Sequence, residues 1–228
     1  MILVLTLILF GCNQNNVTRS EVKTQMDSLP NQQWDRTQEW TLNLQPYGAA
    51  SDTGQVEQLI RKVLVWADSK NSINLLPMLT DKRDSFYIGF DLNKHNENLD
   101  KLRGTDFFAN EFINNYDQII LTLDKKLRNK NFEPWMVGDL PTFPFANDVD
   151  PWCDCQDYLD WDSVVVQVIQ INGNRWNLRW KWGNPEVAGD PGWREFYYDF
   201  TAIKENGKWR VAYMNGFDFH EGTGKDGL

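Results

Sequence analysis

Six aspartates, Asp148, Asp150, Asp154, Asp157, Asp160 and Asp162, fall within fifteen residues that carry no Lys or Arg. Hard cations such as calcium take several carboxylate and carbonyl oxygens from a flexible loop, so Asp148, Asp150 and Asp157 form a candidate metal set. The loop lacks the glycine and the terminal glutamate of an EF-hand. The plainer reading is that these carboxylates cap turns or face water, with Asp150-Pro151 fixing an extended entry. Two cysteines share the loop, separated only by Asp154. In an oxidising compartment Cys153 and Cys155 can bond, but the ring is small and strained. They are also a thin site for Cu(I), having no nearby His or Met. A pair of partly buried thiols, or bridges to another chain, is favoured over either.

Histidine is scarce. His95 lies in a polar Asn/Lys stretch and His220 near the end of the chain, so a Ser–His–Asp or Cys–His device would depend on a loosely held ring. The remaining acid–base candidates are Asp150, Asp157 and, on predicted strands, Tyr197, Tyr198, Asp199 and Tyr213. Sheet packing is the plainer role for those tyrosines. Tryptophan is abundant, at 11 of 228 residues. Trp176, Trp180 and Trp182 alternate along one strand, with Trp193 and Trp209 as further members. Facing outward beside Tyr213, they would bind sugar rings, peptides or a partner's apolar patch. Facing inward, they fill a core. Asn177, Arg179 and Lys181 on the other side are polar enough for solvent, which points the indoles inward.

Several elements must position these groups. Val56, Leu59, Ile60, Val63, Leu64 and Ala67 recur at three- and four-residue spacing and predict a helix over Gly54 to Ser69. Phe108, Phe112, Tyr116, Ile119, Ile120, Leu123 and Leu127 predict another from Thr105, as N-cap, to Arg128. Between them, Ser72 to Leu79 suits a short helix, and Phe86 to Phe90 a strand or an extended loop. Trp40, Leu42 and Leu44 alternate as a short strand would. After Pro141 and Pro144 the period changes to two. A strand around Val164 to Ile171, a turn at Asn172-Gly173, a strand from Trp176 to Trp182, a long strand from Trp193 to Lys204 and a turn at Asn206-Gly207 predict a four-strand antiparallel meander. The fold class is therefore α+β, with two to three N-terminal helices packed on a curved antiparallel sheet. Gly216 to Leu228 is Gly-rich and polar, with a polar tail expected over residues 218–228.

The chain carries 23 basic and 32 acidic side chains, a net charge of −9, together with 13 Phe and 7 Tyr besides the tryptophans. So many rings can offset the entropy of ordering, which excludes low-complexity disorder for most of the length. The charge has the wrong sign for phosphates, and no nucleic-acid partner is expected. Met1 to Phe10 is apolar but too short to span a bilayer. Leu9-Phe10-Gly11-Cys12 resembles the lipobox of bacterial lipoproteins, which implies a leader over residues 1–11 and lipidation at Cys12. Asn13 to Gln33 buries little and reads as a tether, its 21 residues reaching about 25 Å; the single domain follows over residues 34–217.

Asp148-Val149-Asp150-Pro151-Trp152, followed by Gln156-Asp157, resembles the signature of a family of uncharacterised bacterial lipoproteins and periplasmic proteins. Gly207-Lys208-Trp209-Arg210-Val211 is similar to the closing hairpin of the nuclear transport factor 2-like superfamily. The resemblance spans about Gly54 to Phe217 and implies a cone whose sheet wraps the long helices and leaves a cleft at the wide end. The superfamily hosts enzymes, transport factors and inert scaffolds, so fold alone names no activity. The expectation is a non-catalytic envelope lipoprotein, anchored to the membrane and facing the periplasm or cell surface, that binds a protein, peptide or glycan. No cofactor is expected beyond calcium at the acidic loop. The alternative is a small-molecule binder or enzyme using the mouth of the cone.

Overall fold

The computed structural model describes residues 49–156, 160–183 and 191–224. Cys12, the leader, the tether, the Trp40/Leu42/Leu44 segment and Asp157 lie outside them. The first helix, α1 (Ala49–Ala67), buries Val56, Ile60, Val63 and Leu64 completely, as their spacing requires. Its polar side carries a Glu57–Arg61 ion pair at 2.8 Å.

No helix forms over Ser72 to Leu79. The Asn74 side chain accepts from the Leu76 N–H at 3.1 Å, and Pro77 has no N–H to donate, so the backbone leaves the helical path. It forms instead a short antiparallel pair, β1 (Met78–Thr80) and β2 (Tyr87–Phe90). A second helix unforeseen in the pattern, α2 (Leu92–Gly104), follows. Asp91 caps it by accepting from Asn93 and Lys94 N–H groups at 3.1 and 3.2 Å. Its buried stripe is His95, Asn98, Leu99 and Leu102, half of it polar, which is why apolar periodicity misses it.

The third helix, α3, runs Asn110–Arg128 rather than from Thr105. Thr105 caps the end of α2, its hydroxyl donating to Leu102 O at 2.8 Å. Phe107 to Ala109 are extended because they pair with the main chain of Val211, through Val211 N to Phe107 O (2.8 Å) and Ala109 N to Val211 O (2.9 Å). A sheet contact thus claims three residues that local spacing assigns to the helix.

The meander forms as expected, in the order β3 (Val164–Asn172), β4 (Arg175–Trp182), β5 (Tyr198–Glu205), β6 (Lys208–Met214), all antiparallel. The first hairpin loop is Gly173-Asn174, one residue later than predicted, because Asn172 still pairs with Arg175. Only Gly173 of that pair takes positive φ (57°), which is the turn with Gly first. The second loop is Asn206-Gly207 as predicted, both at positive φ (51° and 78°). The fifth strand begins at Tyr198, since Pro191–Arg194 wind into a 3-10 turn. Past the sheet, where a frayed tail is expected, Phe219–Thr223 form a helical turn, α4. Lys126 of α3 donates to Thr223 O (3.0 Å) and Phe145 N, in the loop after α3, to Gly222 O (3.1 Å), so both hold it in place.

The molecule is α+β, helices on an antiparallel sheet that is not closed into a barrel. Trp176, Leu178, Trp180 and Trp182 face the buried layer, where each ring contributes about 1.5–3 kcal/mol through area removed from water. Phe112, Trp152 and Phe217 pack together at its centre, with centroids 4.6 to 5.8 Å apart. Among the described residues no helix is long and apolar enough to cross a membrane.

Candidate functional site

The acidic loop is a braced structure. Asp150 and Cys155 form an isolated antiparallel bridge, Asp150 N to Cys155 O at 3.0 Å. Asp154 N donates to Asp150 O (2.7 Å) and Trp152 N to Asp150 Oδ1 (3.0 Å), and Asp154 takes positive φ (53°) to close the turn. Cys153 and Cys155 are joined as a disulfide, both almost wholly buried. The preference for separate thiols is thereby corrected: the turn already brings their Cα atoms to 5.2 Å, within ordinary bridging range.

Two anchors fix the loop to the domain. The Trp152 ring enters the aromatic core, 5.6 Å edge-on to Trp66 and 4.6 Å from Phe217. The Tyr198 hydroxyl donates to Pro151 O at 2.6 Å and accepts from Gly216 N at 2.8 Å. Burial pushes that phenol well above its ordinary pKa. It is a neutral clasp whose proton is already donated to the main chain.

The loop's outer side forms one wall of an open cleft of about 400 Å³. Its lining comes from two segments, Val149, Asp154, Cys155 and Gln156 of the loop and Gly192, Trp193 and Phe196 before β5. The rings of Trp193 and Phe196 meet edge-on at 5.4 Å. Trp182 backs Trp193 (5.9 Å) and Trp180 backs Phe196 (5.2 Å). The indole N–H groups of Trp180 and Trp182 are buried without a hydrogen-bond partner among the described residues. A smaller cleft of about 290 Å³ lies on the loop's other side, against the end of α1 and Asn74.

The predicted binding residues are therefore not gathered at one surface. Trp176 packs on Trp209 (4.6 Å), Trp180 and Trp182 are in the buried layer, and Tyr213 donates to Asp218 at 3.1 Å. Burial first, then the Asp218 charge, raises the Tyr213 pKa. Of the predicted metal set, Asp148 is exposed and Asp150 serves the turn. Among the described residues no group of three His, Cys, Asp or Glu side chains converges as a metal cage. Asp199 is held by Arg179 through two bonds of 2.7 and 3.0 Å on the face opposite the indoles. His95 is not loosely held: it is buried, 2.8 Å from Asp117 Oδ1 and edge-on to Tyr116. His220 is exposed.

Phe196 and Gln156 at the cleft were missed by sequence reasoning. The available signal was Trp193, a ring just outside the strand pattern after a Pro-Gly turn. No protein-family model, curated protein or solved structure matches this chain.

Proposed function

We propose that this chain is a lipid-anchored envelope protein whose α+β domain, a nuclear transport factor 2-like cone, binds a partner and carries out no covalent chemistry. The lipobox-like segment ending at Cys12 supports the anchor. The observation that carries the binding role is the open cleft with Trp193 and Phe196 facing Asp154 and Gln156. An aromatic wall takes the apolar face of a sugar ring, and a carboxylate and an amide opposite it take hydroxyls. That chemistry suits a cell-envelope glycan, whose rings carry an apolar face and a rim of hydroxyls. Tyr198, Tyr213 and His95 support a non-catalytic reading as well, because each is committed to a structural partner.

The binding test is a titration of the full chain with soluble cell-wall glycan fragments, followed by tryptophan fluorescence. Trp193→Ala should weaken the interaction about tenfold, the value of one lost ring stack. No saturable change with the wild type overturns the glycan role. Mass spectrometry of the natural product tests the anchor: residues 1–11 absent and acyl chains on Cys12 are expected, and an intact leader with a free thiol refutes it.

A further inference from the structure

Most of the exposed large apolar side chains come from two segments. Among the described residues, seven of the ten exposed large apolar side chains fall between residues 79 and 92 or between 136 and 140. The most exposed of these are Leu140 (61%), Met136 (52%), Ile88 (47%) and Val137 (41%), followed by Phe86 (39%). An antiparallel bridge between Phe86 and Met136 lays the two segments side by side, with Tyr87 N bonded to Trp135 O (2.9 Å) and Val137 N to Ser85 O (3.1 Å). Ile88, two residues along β2, shares the face of Phe86. The support behind is fixed: Asp124 of α3 accepts from Phe90 N at 2.8 Å, and Tyr87 packs on Trp135 at 4.2 Å.

Charge distinguishes this face from the rest of the molecule. Residues 78–94 contain three acidic and three basic side chains, and residues 128–140 two of each, whereas the chain as a whole carries −9. The surplus negative charge is therefore elsewhere, and an anionic bilayer repels this face least. Lys82 and Arg83 stand exposed at the tip of the hairpin, where they can meet lipid phosphates.

We propose that this face docks on the lipid surface to which the protein is anchored, with Phe86, Ile88 and Met136 entering the headgroup–acyl boundary. The inference rests on the lipid-anchor reading for proximity. On that reading the 21 residues expected as a tether would reach about 25 Å, and a domain of this size has a radius of gyration of about 16 Å. Anchoring thus keeps the face at an effective concentration near millimolar, where a weak apolar contact is occupied much of the time. Docking orients the domain on the bilayer, which random tumbling on a tether does not.

The test uses the full chain made with its own leader. Ile88→Cys is labelled with an environment-sensitive fluorophore in vesicles of phosphatidylethanolamine and phosphatidylglycerol doped with nitroxide lipid. Lys62→Cys, exposed on α1, is the control. Label position and Cys12 acylation are both read by mass spectrometry. At least twofold stronger quenching at position 88 than at 62 is expected, and Met136→Asp should abolish the difference. Equal quenching in an acylated product overturns the docking face and leaves the anchor standing. Selective quenching at 88 in a product without acyl chains supports the face and refutes the anchor. No selective quenching in an unacylated product overturns both, and burial of position 88 by a second copy or another protein without lipid quenching overturns the lipid surface as its occupant.

Discussion

Tyr198→Phe removes one oxygen atom and tests whether the cleft wall is clamped as described. In the wild type that hydroxyl serves Pro151 O and Gly216 N together, at 2.6 and 2.8 Å, in a fully buried position. The main chains meet too closely there for water to replace it: a Cβ on Gly216 would lie 2.1 Å from Pro151 O. Deletion therefore leaves a buried acceptor, Pro151 O, and a partly buried donor, Gly216 N, unpaired, at about 1–3 kcal/mol each. The expected loss is about 3 kcal/mol, or a melting temperature lower by about 6–12 °C for a domain of this size. Urea unfolding followed by tryptophan fluorescence measures it. Tyr197→Phe is the control. Tyr197 is 40% exposed, its ring lies 3.6 Å under the Arg179 guanidinium, and Phe keeps that ring, so a change within about 0.5 kcal/mol is expected. A loss below about 0.5 kcal/mol for Tyr198→Phe would show that both main-chain groups find other partners, and the account of the loop as a clamped wall would fail.

The Asp52 carboxyl is held below its ordinary pKa chiefly by the hydrogen bond from Lys204 Nζ at 2.6 Å, then by Trp209 Nε1 at 3.2 Å. A depressed carboxylate stabilises above its unfolded-state value, about 3.9, and that stability is lost as pH falls through the folded-state value. Asp52→Asn should thus cost about 1 kcal/mol or less at pH 7, after solvent screening, and the gap to wild type should close below about pH 4; melting curves from pH 3 to 7 check this. The Cys153–Cys155 bond closes a minimal ring, so Cys153→Ser with Cys155→Ser should cost only about 1.5 kcal/mol on loop entropy. Thiol titration in denaturant should find neither sulfur before reduction and both after.

How much of the fold is legible in the sequence depends on whether apolar side chains mark the buried face. The α1 stripe and the meander are readable because Val56, Ile60, Val63 and the alternating tryptophans are both apolar and buried. The α2 helix is not, because His95 and Asn98 occupy half its buried face, paid for by Asp117 and by the Asn98 bond to Asn74 O at 2.7 Å. Those partners are 22 and 24 residues away, beyond any local window. The start of α3 fails for the same reason in reverse. Phe107 to Ala109 have helical spacing, but Val211, about a hundred residues later, supplies main-chain bonds that a helix would forfeit.

The cleft was harder to see because strand alternation and ligand contact make opposite demands on tryptophan. A ring on the inner face of a packed strand is held in the core, as Trp176, Trp180 and Trp182 are, and cannot also present its face to a ligand. Rings open to a ligand on one side must come from residues that have left the ladder but still lean on it. Trp193 and Phe196 do so, resting on Trp182 and Trp180 between a 3-10 turn and the start of β5. The facing wall comes from a disulfide-closed turn some forty residues earlier, whose placement depends on Tyr198 and Trp152 rather than on local pattern. In such a strand the buried indoles serve as foundation, and contact with a ligand passes to the off-strand rings they support.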